Sequence, residues 1–393
     1  MHRSGRIPDG TRSRLAVTPL QRYFEQRGIA QLNLAGGIAT PARFTDPVSE
    51  HLATRRNAGL FDFSFMAMAE ITGRDSLGFL HRLQTRNLSR LRPAHLAYTL
   101  MLRQNGTVLD DATIWCLGKE RYCLFTGRRA DLDHVRALAA GFSVSITDRS
   151  REHAVIAIQG VNAWAIISRC LSGLPESLPY YCFSDSRWES AACRAARIGY
   201  TGETGYELIT DAVHGPGLWR ALLAAGADDD LAECGFDALD SLRIEAGHIL
   251  FTRELAAPAT PYELGLGRLL DFYRDPGTGM ESLRPRRWQQ TQRCLVGLVP
   301  DHVTTRGIDS LTVQAAGRLP VPGRAVITST CLSPVLNRTL ALGFVDAANR
   351  YPGTSVTVGP GLKARVARLP FYDPAKRLPR GGRILLSGRG QSL

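Results

Sequence analysis

The sequence lacks the patterns of a membrane protein and of a zinc or disulfide protein. Its eight cysteines include no Cys-x-x-Cys pair, and most stand in apolar segments, where cysteine behaves as a small hydrophobic residue. No apolar run approaches the roughly 20 residues that span a bilayer, and the N-terminus lacks the charged, apolar and small-residue segments of a signal peptide. We therefore expect a cytoplasmic protein with no membrane association and no metal site.

The sequence also lacks the motifs of nucleotide-binding and nucleic-acid-binding proteins. The glycine-rich stretch 199–205 lacks the Lys-Ser/Thr ending of a phosphate loop, and Gly265-Leu266-Gly267 lacks the third glycine of a dinucleotide fingerprint. The formal net charge is +12, but no run of basic residues is interleaved with aromatics, which argues against nucleic acid as a partner. The charge favours an acidic partner, such as a polyanionic cofactor or an acidic carrier protein, or it reflects genome composition alone.

Length and composition indicate two or three soluble globular domains, since 393 residues with 44% hydrophobic and 21% charged side chains exceed one ordinary core. Residues 1–17 are rich in Arg, Gly and Ser without periodicity and are expected to be a disordered lead-in. Residues 18–285 alternate helical and strand patterns and predict an α+β core. Short alternating runs over 290–373 predict a small β-barrel or sandwich, and residues 377–393 predict a loose tail.

The most distinctive stretch runs from Asn105 to Trp115. An Asn-Gly pair lies there between an apolar run and a second run rich in β-branched and aromatic residues, which predicts a β-hairpin. Side chains alternate across a strand, so Asp110 and Asp111 should point to opposite faces and one should face the interior, where a carboxylate needs a partner. The alternative is that one of them caps the turn and the other is solvated at an edge strand.

Two further stretches carry charged residues in ordered patterns. Arg197–Leu208 has three glycines in seven residues and predicts a tight loop approached closely by backbone or ligand, with Glu207 just inside the following strand; any glycine-rich hairpin is the alternative. Asp237–Leu250 predicts an amphipathic helix in which Asp240 and Arg243 pair across one turn. The charged side chains of this helix are expected on a solvated face.

An ordered set of motifs between Thr18 and Tyr372 resembles the tetrahydrofolate-binding T-protein of the glycine cleavage system and its aminomethyltransferase relatives. The set is Thr18-Pro19-Leu20, Gly59-Leu60-Phe61-Asp62, Asn105-Gly106 to Asp110-Asp111, Gly199-Tyr200-Thr201-Gly202-Glu203 to Glu207, Leu242-Arg243-Ile244-Glu245-Ala246, Thr260-Pro261 to Glu263, and Ser333-Pro334. The resemblance implies two intertwined α+β domains with a C-terminal β-barrel. It also implies an enzyme with tetrahydrofolate as its cofactor and a small-molecule one-carbon donor or an acidic carrier protein as its partner.

The resemblance also implies the site residues. It assigns catalysis to Asp111, whose carboxylate would stabilise the positive charge on the reacting amine or transfer a proton. Glu207 would bind the pterin ring, whose adjacent N–H and amino donors suit a bidentate carboxylate. Four more residues are implied as folate contacts, the last from its place in the C-terminal stretch: Tyr200, Tyr98, Met66 and Arg377.

Several positions depart from the family pattern. Phe65 stands where family members usually carry histidine, Leu239 where they carry arginine, and Gly37 and Arg268 where they carry tryptophan. These departures spare most of the folate residues and alter groups that serve the other substrate or the pocket mouth. They favour a tetrahydrofolate-dependent one-carbon transferase whose donor is not the lipoyl carrier protein, as in demethylases.

Two alternatives remain open. The first is an aminomethyltransferase of the glycine cleavage system, for which the basic chain would suit an acidic carrier protein. The second is a non-catalytic folate-binding protein of the kind involved in iron-sulfur protein maturation. The Lys-Gly-Cys-Tyr-x-Gly-Gln-Glu motif of that kind is absent from the sequence.

Overall fold

The computed structural model describes residues 16–29, 32–284, 291–301, 322–358 and 362–382. Most of the expected lead-in and most of the expected loose tail lie outside these residues. The last two residues of the lead-in form a short strand, so the expectation of disorder was wrong there. No helix in the described part of the chain is long and apolar enough to cross a membrane.

Nineteen strands lie in the described ranges. In chain order they are β1 (Ala16–Val17), β2 (Leu32–Ala35), β3 (Ile38–Pro41), β4 (Ala58–Asp62), β5 (Ala67–Thr72), β6 (Leu96–Leu102), β7 (Val108–Gly118), β8 (Arg121–Thr126), β9 (Ser145–Asp148), β10 (His153–Gln159), β11 (Phe183–Trp188), β12 (Ala191–Ala196), β13 (Gly205–Asp211), β14 (Leu231–Glu233), β15 (Arg293–Pro300), β16 (Arg324–Ser333), β17 (Arg338–Asp346), β18 (Ser355–Val358) and β19 (Leu362–Ala367).

These strands form three open sheets and one closed barrel. The orders are β1-β3-β2, β11-β12-β13-β10-β4-β14, β6-β7-β8-β5-β9, and the barrel β15-β17-β16-β18-β19. The chain leaves the six-stranded sheet after β4, builds the whole five-stranded sheet, and returns to the first sheet at β10. The C-terminal region in which alternating runs were predicted forms the strands β15 to β19, which close into a barrel rather than a sandwich.

Seven α-helices accompany the sheets in the described residues. They are α1 (Gln21–Gln26), α2 (Pro47–Arg56), α3 (Ser76–Leu83), α4 (Asp131–Ala137), α5 (Ala163–Cys170), α6 (Gly215–Ala225) and α7 (Phe236–Glu245). The start of α2 shows why a helix begins there: the Asp46 side chain accepts a hydrogen bond from Ser49 N at 2.9 Å, and proline occupies the first turn.

Helix α7 is shorter than the predicted helix Asp237–Leu250. It ends at Glu245, and Gly247 follows with φ of +67°, a left-handed conformation that stops the helix. The prediction was wrong here because Ile249 and Leu250 continue the apolar spacing although they lie beyond the glycine. Both are buried in a separate cluster with residues of β6 and β7.

The two large sheets face each other across a layer of buried side chains. We call this layer the aromatic cluster; at its centre are Phe61, Phe63, Trp115, Phe125, Phe183 and Leu239. Helices α5 and α6 cover the far side of the six-stranded sheet, and α3 and α4 cover the far side of the five-stranded sheet. The barrel packs on α7 through Ile244 and Phe371. The layer between the sheets is therefore the place where side chains from both sheets meet.

Candidate functional site

The predicted hairpin joins β6 to β7. Gly106 has φ of +80°, and Asn105 Oδ1 accepts hydrogen bonds from the backbone and side chain of Thr107 at 3.1 and 2.7 Å. Strand β7 lies between β6 and β8 within the sheet. The alternative of a solvated aspartate at an edge strand was therefore wrong.

Asp110 is fully buried on the side of the five-stranded sheet that faces α4. Thr126 Oγ1 lies 3.3 Å from Asp110 Oδ2 and 3.0 Å from Asp131 Oδ2, and Arg128 Nη2 donates to Asp131 at 2.9 Å. Burial, together with the charges of Asp111 and Asp131, raises the pKa of Asp110 to about 10. These effects favour the protonated form of Asp110, and Arg128 Nε, 3.6 Å from Asp110 Oδ2, acts in the other direction.

Asp111 lies on the opposite face, as predicted. In the pairing of β6 with β7, Asp111 lies opposite Leu100, and Thr113 lies opposite Tyr98. Asp111 and Tyr98 are therefore diagonal neighbours on one face of the sheet. Burial raises the pKa of Asp111, and hydrogen bonds with the Tyr98 and Asp110 side chains act in the other direction. Asp111 is thus a half-buried carboxyl group held by the Tyr98 hydroxyl.

The glycines of the stretch 199–205 make room for one buried side chain. A Cβ atom on Gly199 would lie 1.9 Å from Gln159 Oε1, and one on Gly205 would lie 2.3 Å from the same atom. Thr201 Oγ1 donates to Gln159 Oε1 at 3.0 Å, and Gly202 adopts φ of +84°. The close approach predicted for this loop is made by Gln159, which sequence reasoning did not single out.

Glu207 follows this loop in β13, between Ala157 of β10 and Ala196 of β12. Its side chain is on the face of the sheet that carries the aromatic cluster, and the residue is 8% exposed. Among the described residues, none forms a hydrogen bond or ion pair with its carboxylate. Burial alone raises the pKa of Glu207 to about 7. A buried carboxylate without a partner is costly, so this position suits a ligand that supplies hydrogen-bond donors.

Tyr200 is held at both ends by the segment after α7. Its hydroxyl donates to the Ile249 carbonyl, and the His248 ring stacks on it with centroids 5.4 Å apart. His248 Nδ1 lies 3.0 Å from the Tyr200 carbonyl oxygen, so this nitrogen carries the proton. Burial and the nearby Lys376 lower the pKa of His248 to about 4, so the ring is neutral at neutral pH. His248 carried no sequence signal.

Two predicted folate contacts lie elsewhere around this region. Met66 is half-buried and packs against the aromatic cluster. Arg377 is exposed and directly precedes the short 3-10 helix Leu378–Arg380, which is joined to the glycine-rich loop by a 2.6 Å hydrogen bond from Thr204 Oγ1 to the Leu378 carbonyl. In the described chain, no hydrogen bond or ion pair joins the Arg377 side chain to the other predicted site residues.

Two of the four charged side chains of α7 are buried, so the expectation of a solvated face was wrong for them. Arg243 and Glu245 are both 0% exposed because the barrel covers this helix. The predicted pair of Asp240 and Arg243 is present at 2.7 Å, and Arg243 also pairs with Glu254 at 2.8 Å. Burial opposes ionisation of Glu245, yet Arg55 and His51 outweigh it and lower the pKa to about 2.

The structure thus brings Asp111, Tyr98 and Tyr200 together, and their charges influence one another. It places Glu207 and Met66 on the aromatic cluster nearby. No group of three or more His, Cys, Asp or Glu side chains in the described ranges is arranged to hold a metal ion. The arrangement offers one buried and one half-buried carboxyl group, Glu207 and Asp111, both with raised pKa values and both beside aromatic rings, which suits a flat ligand that carries nitrogen donors.

Comparisons with known proteins agree over nearly the whole chain. Residues 22–274 match the model of the GCVT N-terminal domain, and residues 293–373 match that of the glycine cleavage T-protein C-terminal barrel domain. An aminomethyltransferase of Desulfitobacterium hafniense is 33% identical over 366 residues, covering 91% of this chain and 98% of the relative. One from Streptomyces coelicolor is 32% identical over 379 residues, covering 92% and 99%.

A solved structure shows the same fold. The glycine cleavage system aminomethyltransferase T from Bartonella henselae superposes with a TM-score of 0.77 at 25% identity, covering 91% of this chain and 98% of that one. Its likeness extends over the helices, sheets and C-terminal barrel. The predicted fold class, mixed α+β with a C-terminal barrel, is confirmed.

Proposed function

Since the chain belongs to the glycine cleavage T-protein family and is a folate-dependent transferase, we propose that it moves the one-carbon unit of an aminomethyl group to tetrahydrofolate. The donor in this proposal is an aminomethyl group on a lipoyl carrier protein, and the net charge of +12 suits an acidic carrier. Residues 18–285 would form the folate-binding unit, and residues 290–373 the accompanying barrel.

The observation that carries the proposal is the unpaired carboxylate of Glu207. It is buried, faces the aromatic cluster, and finds no partner among the described residues. A pterin ring presents an N–H and an amino group side by side, which would supply both missing hydrogen bonds to one carboxylate. These bonds would also favour the ionised form and offset the burial that raises the pKa of Glu207 to about 7.

Asp111 would act on the reacting nitrogen. Bound tetrahydrofolate supplies the nitrogens that accept the one-carbon unit. The Asp111 carboxylate, kept in place by Tyr98, would stabilise positive charge on a neighbouring amine in a site with little water. Because burial raises the pKa of Asp111, the same group is also suited to hold and release a proton.

The remaining predicted contacts would orient the ligand. Hydrogen bonds with His248 and with the Ile249 carbonyl hold Tyr200 in place, and an aromatic ring held in this way can stack on a flat heterocycle. Met66 would add a polarisable thioether contact from the aromatic cluster. Arg377 is exposed, so it would contact only a part of the folate that reaches solvent, such as a carboxylate.

One observation favours a second candidate, a demethylase-like transferase with a small methylated donor. Leu239 is 3% exposed, and the rings of Phe65 and Phe236 meet at 6.0 Å in an edge-to-face contact. Leu239 and Phe65 occupy positions where the family usually has a cation and an imidazole. Such a wall offers nothing to an anionic or carrier-bound donor and accommodates methyl groups.

A comparison of donors separates the two candidates. The purified protein is incubated with tetrahydrofolate and either aminomethylated lipoyl carrier protein or a panel of methylated amines, and the folate products are identified by mass spectrometry. We expect methylenetetrahydrofolate from the carrier. A folate product from a methylated amine, with none from the carrier, would favour the demethylase-like transferase over the aminomethyltransferase.

A further inference from the structure

Thr201 anchors the glycine-rich loop between β12 and β13. The residue is 0% exposed, and its hydroxyl donates to Gln159 Oε1 at 3.0 Å and accepts from Glu203 N at 3.3 Å. Its carbonyl oxygen accepts a hydrogen bond from Arg55 Nη1 at 3.0 Å. Gln159 ends β10 and Arg55 lies in α2, so this one loop residue is held from two separate elements.

The amide of Gln159 is itself fixed. Gln159 is 0% exposed and fills the space that the glycines of the loop leave open. Its Nε2 donates to the Ile198 carbonyl at 3.3 Å, and its Oε1 is the acceptor for Thr201. Next to it, Gly160 N donates to the Thr204 carbonyl at 2.8 Å. The end of β10 therefore holds the loop near its beginning, at its middle and near its end.

The guanidinium of Arg55 is fixed as well. Its side chain is 3% exposed, and Nε and Nη2 donate to Glu245 Oε2 at 3.0 and 2.8 Å. Nη1 donates to Glu203 Oε1 at 2.9 Å as well as to the Thr201 carbonyl, and the centroid of the Tyr372 ring lies 4.1 Å from Cζ. A planar guanidinium bound in this way cannot turn without breaking a buried ion pair. The Thr201 carbonyl therefore meets a donor of fixed direction.

The residue that this anchor controls is Tyr200, which directly precedes Thr201. The segment after α7 holds Tyr200 from one side, and Thr201 holds it from the other. A glycine precedes the pair, and Gly202 follows it with φ of +84°. Because glycine gives the backbone wide freedom, the pair gains conformations when the Thr201 anchor is lost. Glu207 and Asp111 lie within the strands β13 and β7, so their positions do not depend on this loop.

We propose that Thr201 is a positioning residue, whose hydroxyl holds the loop in the conformation in which the Tyr200 ring meets the folate heterocycle. The proposal rests on the proposed function, in which Tyr200 contacts the folate. An aromatic ring that is already in place loses less conformational entropy on binding, and this raises the affinity. Since Asp111 keeps its place on β7, folate that does bind still reacts. Loss of the Thr201 hydroxyl therefore weakens folate binding and spares turnover.

Three variants of the full chain test this role, with Kd for tetrahydrofolate from calorimetry and KM and kcat from steady-state kinetics with the aminomethylated carrier. Thr201→Val removes the hydroxyl and keeps the branched shape, and it should raise Kd and KM about 3- to 10-fold with kcat within about twofold. Thr201→Ser keeps the hydroxyl and should retain the original Kd. Thr210→Val is the matched control, because Thr210 is 2% exposed and its hydroxyl donates to the Ala192 carbonyl at 2.9 Å, at the far end of the same two strands. It should leave Kd unchanged.

An unchanged Kd in Thr201→Val would overturn the proposal, and so would an equal loss of affinity in Thr201→Ser, which would assign the effect to the methyl group. If Thr201→Val does not fold, Gln159→Met keeps an unbranched side chain between the loop glycines and removes the acceptor of the Thr201 hydroxyl. It should raise Kd to a similar extent, and an unchanged Kd there would also overturn the proposal. Absence of tetrahydrofolate binding by the unaltered protein would instead contradict the proposed function, so the two failures are distinguishable.

Discussion

Replacement of Glu207 by glutamine removes the charge of the carboxylate and keeps the shape of the side chain. In the ligand-free protein, burial raises the pKa of Glu207 from 4.5 to about 7. The unfolded chain ionises at lower pH than the folded one, so this group lowers stability as the pH rises from about 4.5 to about 7. One pKa unit corresponds to about 1.4 kcal/mol, so Glu207→Gln should stabilise the ligand-free protein by up to about 3 kcal/mol at pH 8.

The same variant should bind tetrahydrofolate less tightly. Loss of one partner of a buried charged hydrogen-bonded pair costs roughly 2–5 kcal/mol, which corresponds to a more than tenfold weaker affinity. Calorimetry measures the affinity, and denaturant unfolding at pH 8 and pH 4 measures the stability. We expect opposite signs, a gain in stability at pH 8 with a loss of affinity, and no stability gain at pH 4.

Glu203→Gln is the matched control. Glu203 is also a buried carboxylate, but it pairs with Arg55 at 2.9 Å, so its replacement should lower stability instead. If Glu207→Gln destabilised the protein as Glu203→Gln does and left folate affinity unchanged, the carboxylate would have a structural role and our reasoning about the ligand would be refuted.

Two further predictions concern Asp111 and the histidine that packs on Tyr200. Asp111→Asn should keep tetrahydrofolate affinity within a few fold and lower kcat by about 100-fold or more. Asp110→Asn should lower kcat much less, because Asp110 lies on the opposite face of β7 and its burial favours the protonated form. Steady-state kinetics measures kcat, and calorimetry measures the affinity. A larger loss of kcat in Asp110→Asn than in Asp111→Asn would contradict the assignment of the two residues to their faces. Because burial and Lys376 lower the pKa of His248 to about 4, the protein should lose stability as the pH falls from about 6.5 to about 4, and His248→Leu should lessen that loss. Unfolding titrations at pH 7 and pH 4 measure the difference, and an unchanged dependence on pH would show that His248 does not titrate as inferred.

Local signals were sufficient for much of the fold. The Asn-Gly pair predicted the hairpin at residues 105–106, where Gly106 adopts a φ of +80° that few other residues tolerate. Alternation along β7 predicted that Asp110 and Asp111 face opposite sides, and the short alternating runs over 290–373 predicted the strands of the barrel. These features depend on neighbours in the sequence or on the strand period, which a single sequence displays.

The features that were missed depend on contacts between distant segments. Arg243 and Glu245 would be solvated on an isolated helix, and they are buried because the barrel residues Ser329 and Ser333 and the α2 residue Arg55 contact them. Gln159 is surrounded by glycines forty residues further along, and His248 is significant only because Tyr200 lies under it. No local periodicity encodes such pairings. The roles of Glu207 and Asp111 came from the family resemblance and stay predictions.

The most direct test of the proposed reaction follows the carbon itself. Lipoyl carrier protein loaded with a 13C-labelled aminomethyl group is mixed with the enzyme and tetrahydrofolate, and the labelled folate product is measured by NMR. Our account predicts labelled methylenetetrahydrofolate at a rate that depends on Asp111. Tight binding of tetrahydrofolate with no transfer of label from the carrier would contradict it.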